Sequence, residues 1–249
     1  MTDIPPDHPR YFSLMTRHRI VSGVDKGITS QEGLIAQGRG EAFDYLTGEK
    51  TLPFAHAAEY AASAMMLLGK RRVISVNGNA AALVPAELVQ LSKLTDAPLE
   101  VNLFYRTEER VVKIIRHLQA HGAGQVLGAR PDASIPCLAS QRSKVCRDGI
   151  YSADVVFVPL EDGDRCEALV RMGIQVIAVD LNPLSRTAQQ ATISIVDNVV
   201  RAVPNMVKMV RDLKGRDERY LQEIVRDFDN KKGLADAMDS ISRHLSEIM

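Results

Sequence analysis

The stretch Asp180-Leu181-Asn182-Pro183-Leu184-Ser185-Arg186-Thr187 places a carboxylate, an amide, a guanidinium and two hydroxyls in one bend, directly after the apolar run Val176–Val179. In such a bend Asp180 can accept from ribose hydroxyls, and Arg186 and Thr187 can meet phosphate oxygens. Three further apolar runs end in polar clusters. Val73–Val76 leads into Asn77-Gly78-Asn79, where a glycine lets backbone approach a ligand and the amides of a helix start can hold an anion; a turn with an Asn cap reads equally well from the triplet alone. Leu103-Phe104 leads into Tyr105-Arg106-Thr107-Glu108-Glu109. Thr107 suits an N-cap, whereas Arg106 beside a helix N-terminus opposes the macrodipole unless an anion lies between them. Val155–Leu160 leads into Glu161-Asp162-Gly163-Asp164, carboxylates that could hold Mg²⁺ or simply open a helix. Asp197-Asn198 closes another run. Ahead of all of these stand Arg17 and Arg19, then Gly38-Arg39-Gly40. An arginine between glycines exposes guanidinium and backbone donors together, as an anion site requires, with a surface turn as the alternative.

Positioning these groups requires a sheet. Short β-branched runs alternate with amphipathic stretches between residues 72 and 214, the pattern of βαβ units. Strands are expected near Val73–Val76, Leu99–Phe104, Gln125–Leu127, Asp154–Pro159, Gln175–Val179 and Thr192–Val196, with helices over Ala80–Leu94, Thr107–His121 and Arg165–Met172. Residues 10–26 and 54–69 read as helices before the sheet. Val199–Leu213 continues as a helix despite Pro204, and 216–248 read as a charged helical pair broken at Asn230–Gly233. Residues 129–150 read as a long irregular loop. The expected fold is α/β: a Rossmann-like, mostly parallel sheet of about six strands with helices on both faces and helical additions at both ends. One domain is expected over 1–249, comprising a helical part to residue 70, the core and a tail from 215. In an open parallel sheet all the strand ends lie along one edge, where ligands bind, so the polar clusters converge there.

Composition narrows the function. Lys plus Arg and Asp plus Glu are 31 each, so no global field draws the chain to nucleic acid or anionic lipid. There is no apolar stretch of transmembrane length and no signal-peptide pattern, which points to a cytoplasmic protein without a membrane partner. Three cysteines without Cys-x-x-Cys spacing argue for reduced thiols rather than disulfides or structural zinc. His117 and His121 have metal-ligand spacing but also suit the closing turn of a helix. No Gly-x-x-x-x-Gly-Lys-Ser/Thr occurs, and no Gly-x-Gly-x-x-Gly follows a strand, so ordinary P-loop and dinucleotide readings lose support.

The longer motifs carry a resemblance. His8-Pro9-Arg10-Tyr11, Gly33–Ala36 running into Gly38–Leu46, Ile74–Asn79, Val101–Arg110, Gly149–Asp154, Pro159–Arg165 and Asp180–Thr187 together resemble the archaeal phosphopantothenate synthetase family, over residues 4 to about 232. The resemblance implies a ligase that joins 4-phosphopantoate to β-alanine in coenzyme A biosynthesis. The pantoate carboxylate would attack the α-phosphate of ATP, with Mg²⁺ on the triphosphate, and the amine would then displace AMP from the acyl-adenylate. By similarity Arg17, Arg39, Asp180, Leu181, Asn182, Arg186, Thr187, Asn198 and Val199 would bind ATP. On chemical grounds Asn77, Asn79, Tyr105, Arg106 and Thr107 are assigned to the phosphopantoate side, with Arg142 and Lys144 reaching the same phosphate. Arg39, Asn77 and Arg106 are the catalytic candidates, and Asp162 and Asp164 the metal candidates. Gln37 departs from the histidine of the family pattern and is expected only to hydrogen-bond. The family implies a homodimer, for which the Ala- and Met-rich helix 54–69 offers an apolar face. Two rivals share these groups: an ADP-forming ligase or kinase, and a non-catalytic regulator that binds a nucleotide or a coenzyme A precursor.

Overall fold

The computed structural model describes residues 4–160 and 162–248. Three helices come first: α1 (Tyr11–Asp25), α2 (Gln31–Thr47) and α3 (Pro53–Leu68). The core then alternates strands and helices. β1 (Arg72–Val76) is followed by α4 (Gly78–Leu83) and α5 (Pro85–Thr95), and β2 (Leu99–Val101) by α6 (Glu108–Ala120). β3 (Val126–Leu127) precedes a small antiparallel pair, β4 (Ala133–Ser134) with β5 (Lys144–Val145). β6 (Val155–Pro159), α7 (Gly163–Arg171), β7 (Gln175–Val179), α8 (Arg186–Gln190), β8 (Ile193–Ile195) and α9 (Val199–Leu213) complete it, and α10 (Glu218–Asp227) and α11 (Asn230–Ile248) form the tail. The main sheet is parallel throughout, in the order β3-β2-β1-β6-β7-β8. Six strands with helices on both faces agree with the α/β class expected from the sequence.

Period two along each strand divides its side chains between two cores. Ile74, Val76, Val155, Phe157, Ile177 and Val179 pack on one face with α3, α5, α6 and α9. Val73, Val156, Val158, Val176 and Ala178 face the other way, toward α7, Ile135, Val145 and Ile150. Both faces are covered, which is why these strands read as continuous apolar runs.

Several boundaries differ from expectation. The helix expected over Ala80–Leu94 is two, because proline lacks an N–H and disfavours helical backbone in the residue before it; Val84 turns out of the helix (φ −137°, ψ 43°) and Pro85 opens α5. The strand from Leu99 stops at Val101: Asn102 N still donates to the Val76 carbonyl at 2.9 Å, but its side chain already turns to the Arg142 and Lys144 carbonyls. Gly38-Arg39-Gly40 is not a turn but lies inside α2, so its backbone amides serve the helix and not a ligand. The break in the tail comes before Asn230, leaving Gly233 within α11. α3, offered as a dimer face, spends its Ala and Met residues on this chain's own core: Met65 and Met66 are buried. Among the described residues no helix is long and apolar enough to cross a membrane.

A polar network joins α2, α3 and α9 below the sheet edge. Arg201 donates through Nε to Asp197 at 2.8 Å and through Nη1 to Asp44 at 3.2 Å, and Asn198 Nδ2 donates to Asp44 at 2.7 Å. Thr51 donates to Asp197 at 2.6 Å, and Asn205 donates to the wholly buried Glu59 at 3.1 Å. Burial first, and the Asp197 charge second, push the Glu59 carboxyl up to about 9. An unfolded carboxyl titrates near 4.5, so between those values the folded chain holds a proton that the unfolded chain has lost. Stability therefore falls as pH rises through that window. Thermal melts from pH 5 to 9 should show Glu59→Gln losing less stability with rising pH than the wild type; parallel pH profiles would refute the buried proton.

Candidate active site

The strand order reverses between β1 and β6, the crevice where open α/β sheets take their ligands. Asn77 ties this point together. Its Oδ1 accepts from Ala80 N at 2.9 Å and caps α4, while its Nδ2 donates to the Pro159 and Leu160 carbonyls at 2.9 and 2.7 Å. Leu160 sits at φ +66°, a left-handed conformation rare for a leucine, which turns the chain sharply as it leaves β6. Above the junction opens a cleft of about 650 Å³, walled by α2 on the outside and floored by the ends of β1, β6 and β7.

One end of the cleft is the Asp180 bend. Asp180 accepts from Asn182 N at 2.9 Å and from the Ser185 hydroxyl, and Ser185 also caps α8 through Ala188 N. Burial holds the Asp180 carboxyl above the usual carboxylate range, offset by these bonds and by the charge of Arg39 across the cleft. Asn198 and Val199 form the N-cap and first residue of α9, and Thr187 is buried in the wall. Arg186 stands exposed on the rim, donating to Asp164 at 2.7 Å and to Glu167 at 3.2 Å.

Beneath the cleft lies a pair of buried arginines, of which the sequence reading singled out Arg142 but not Arg165. Arg165 is fully buried, donating to the Ser75 hydroxyl at 2.9 Å and to Asn102 Oδ1. Arg142, also buried, donates to the same Asn102 oxygen at 3.3 Å and to Asp162 at 2.7 Å. Asp162 also caps α7, accepting from Arg165 N at 2.9 Å. Burial opposes its ionisation, but Arg142, beside it, holds it below the usual range. The long segment between β3 and β6 is anchored by buried Glu100, which accepts from Cys146 N at 2.8 Å and Ile150 N at 2.7 Å. Gly149 is required there, since a Cβ would lie 2.0 Å from the Glu100 carboxylate.

Thus Arg39, Asn77, Asn79, Tyr105, Arg142, Asp162, Asp180, Leu181, Asn182, Arg186, Thr187, Asn198 and Val199 line one cleft, and Gln37 lines it too. Five expected residues do not. Arg17 belongs to a shallow neighbouring hollow, where it chelates Glu41 (Nε at 3.0 Å from both oxygens) and donates to Tyr45. Arg106 turns toward β3, donating to the Gly128 carbonyl at 2.6 Å, with its buried Nη1 meeting no hydrogen-bond partner among the described residues. Thr107 is spent on capping α6 through Arg110 N. Lys144 is exposed, and only its carbonyl, taken by Asn102, serves the floor. Asp164 is paired with Arg186. Glu161, the third carboxylate expected for Mg²⁺, lies outside the described residues. Among those described, no three His, Cys, Asp or Glu side chains form a metal cage, and the oxygens of Asp162 are engaged by Arg142 and a backbone N–H. The described carboxylates therefore do not fit a protein-built Mg²⁺ site. Arg110, by contrast, lines the cleft and was passed over, although it too is a cation in a helix's first turn. Because Asn77 both caps α4 and bridges β1 to β6, Asn77→Ala should lower stability by about 2–3 kcal/mol in urea unfolding; a loss below about 0.5 kcal/mol would show that the junction does not depend on it.

The phosphopantothenate/pantothenate synthetase family profile matches residues 54–244. A Methanosarcina mazei protein named 4-phosphopantoate–β-alanine ligase is 56% identical over 98% of this chain and 96% of its own length. Proteins of the same name from Thermococcus kodakarensis and Methanospirillum hungatei are 53% and 46% identical, over 100% and 99% of this chain and 95% and 99% of their own lengths. With the strand-end clusters gathered in one cleft and relatives matched over nearly their full length, this chain belongs to the phosphopantothenate/pantothenate synthetase family of amide-forming ligases.

Proposed function

We propose that the chain condenses 4-phosphopantoate with β-alanine at the expense of ATP, through an acyl-adenylate, as a step in coenzyme A biosynthesis. The observation that carries this reading is the sharing of a single cleft by two different polar edges. The bend after β7 and the start of α9 suit a nucleotide, whereas the Asn77–Asn79 and Tyr105 side suits a small anion. A cavity of about 650 Å³ is of the size that encloses ligands of a few hundred daltons.

The chemistry balances without a protein nucleophile. The pantoate carboxylate oxygen attacks the α-phosphorus of ATP and diphosphate leaves. The β-alanine nitrogen then attacks the acyl carbon, AMP departs with the C–O electron pair, and the amine's surplus proton passes to solvent or to the AMP phosphate. What the chain supplies is orientation, cationic stabilisation of charge on the phosphates, and exclusion of water from the mixed anhydride. Asp180 would take the ribose hydroxyls, and Arg39, which makes no ion pair among the described residues, would take the phosphates. Arg186 would exchange its carboxylate partners for a phosphate, a modest exchange for exposed pairs. Mg²⁺ carried by the triphosphate would neutralise part of its charge. Homodimer formation remains part of this proposal, through a face other than the apolar one of α3.

Product analysis by ion-pair chromatography, with ATP, Mg²⁺, 4-phosphopantoate, β-alanine and single-omission controls, tests the reading. AMP and phosphopantothenate should appear together only in the complete mixture. ADP would replace the adenylate with an acyl phosphate, and tight ATP binding without turnover would favour a regulator. Arg39→Ala should weaken ATP binding by roughly 1.5–3 kcal/mol, about 10- to 150-fold, in calorimetry; unchanged affinity would remove Arg39 from the nucleotide site.

A further inference from the structure

Four arginines line the cleft: Arg39, Arg110, Arg142 and Arg186. Arg142 and Arg186 are ion-paired to carboxylates, and Arg39 faces Asp180 at the nucleotide end. Arg110 is different. It is half-buried in the first turn of α6, where a positive charge is disfavoured by the helix dipole. Its Nε donates to the Ile28 carbonyl at 3.2 Å and its Nη1 to the Tyr105 carbonyl at 2.8 Å, and it forms no ion pair among the described residues. Burial lowers its pKa, and among the described residues the acidic group whose field reaches it is Glu32, a side chain exposed on the rim and screened by water. Two carbonyls thus hold the guanidinium plane in place while Nη2 makes no hydrogen bond among the described residues. That nitrogen lies over Gly78, where a Cβ would sit only 2.6 Å from it. The missing side chain at Gly78 leaves room for the guanidinium tip at the cleft floor. A fixed cation with an open donor edge and no carboxylate is a built receptor for an oxyanion.

Its position selects which oxyanion. Gly78 follows β1, two strands from β7, so the guanidinium tip stands roughly 10 Å from the Asp180 bend at ~4.8 Å per strand. A substrate whose carboxylate must touch the α-phosphate of a nucleotide on that bend brings its other anionic group to the far end. Around Arg110 the cleft is lined by Ser30 and Tyr105, hydroxyl-bearing side chains of the kind that complete the donor set of a phosphate, while the Thr29 hydroxyl donates to Asn79 and so holds that wall in place. We propose that Arg110 is the phosphate anchor of this cleft: it binds the terminal phosphate of the phosphorylated hydroxy-acid substrate, and so makes the enzyme select the phosphorylated acid over its unphosphorylated form. The proposal rests on the ligase reading given above for the identity of that acid.

The test is calorimetric titration of 4-phosphopantoate and of unphosphorylated pantoate into wild type, Arg110→Gln and Arg110→Lys, with ATP affinity measured on each. Wild type should prefer the phosphorylated acid strongly. In Arg110→Gln that preference should fall at least 10-fold while ATP affinity stays within 2-fold, and Arg110→Lys, which keeps the charge, should recover part of it. If the Gln variant does not fold, the Lys variant against wild type carries the comparison, with a drop of about 3-fold or more expected because one donor replaces a planar fork. Equal loss for both acids would make Arg110 a structural residue and overturn the proposal, as would a loss confined to ATP. Arg110-dependent binding of the phosphorylated acid, together with the wrong products from the wild-type enzyme, would keep the anchor and discard the reaction.

Discussion

A guanidinium cut off from water must be hydrogen-bonded on every side, because the desolvation of an unpaired ion costs several kcal/mol even after relaxation. Arg165 is such a group, and the geometry of the cleft follows from satisfying it. Its donors fix Ser75 at the end of β1 and Asn102 just beyond β2, and its own N–H fixes Asp162 at the start of α7. Asn102 in turn gathers the Arg142 and Lys144 carbonyls, pinning the long segment between β3 and β6, and Asp162 gathers the Arg142 guanidinium. Three strand ends and one loop are locked to each other through a single buried charge. Within a parallel sheet the backbone ladders stop at the strand ends, so side chains have to supply the rigidity there that a ligand site needs.

Asn77 extends the same logic across the reversal in strand order, where no ladder hydrogen bond can hold the two outgoing chains in register. The result is a rigid floor beneath a helical wall. α2 contains Gly33, Gly38 and Gly40, each roughly 1 kcal/mol poorer than alanine in a helix. Tertiary packing overrides that propensity: Gly33 lies so close to Asn79 and Thr29 that a Cβ there would fall 2.4 Å from the Asn79 amide oxygen. Gly33 lets the helix approach the floor, whereas a Cβ at Gly38 would meet open space and one at Gly40 only the Leu181 side chain at 3.4 Å.

This explains what could be read from the sequence. The six strands were legible as β-branched runs because both faces of the sheet are covered, and most helices were legible from apolar spacing and from the Thr107 cap. α2 was not, since glycines flanking Arg39 carry the local signature of a turn, and it is the packing of Gly33 against Asn79 and Thr29 that holds the helix there. The site was legible where a residue's neighbours in sequence are also its neighbours in the cleft, as at Asp180–Thr187. It was illegible where direction decides. Arg106 and Arg110 lie four residues apart beside the same helix start, yet one turns out toward Gly128 and the other in toward Gly78. Arg165, apparently an ordinary basic residue in a charged helix start, has no local mark of burial at all.

The tail also takes on a meaning beyond its charge. β8 is the outermost strand of its side, and its Ser194 N–H is met at 2.7 Å by the Oδ1 of Asn230, the first residue of α11, whose Nδ2 reaches back to the carbonyls of Ala188 and Ala191. The opposite margin, β3, is only two residues long. Unpaired strand margins are templates for other chains. A single amide side chain here occupies the outward N–H of the longer margin, so a chain shortened before residue 230 would keep its cleft-forming residues and yet present an unsealed strand, its failure showing as self-association rather than as lost chemistry.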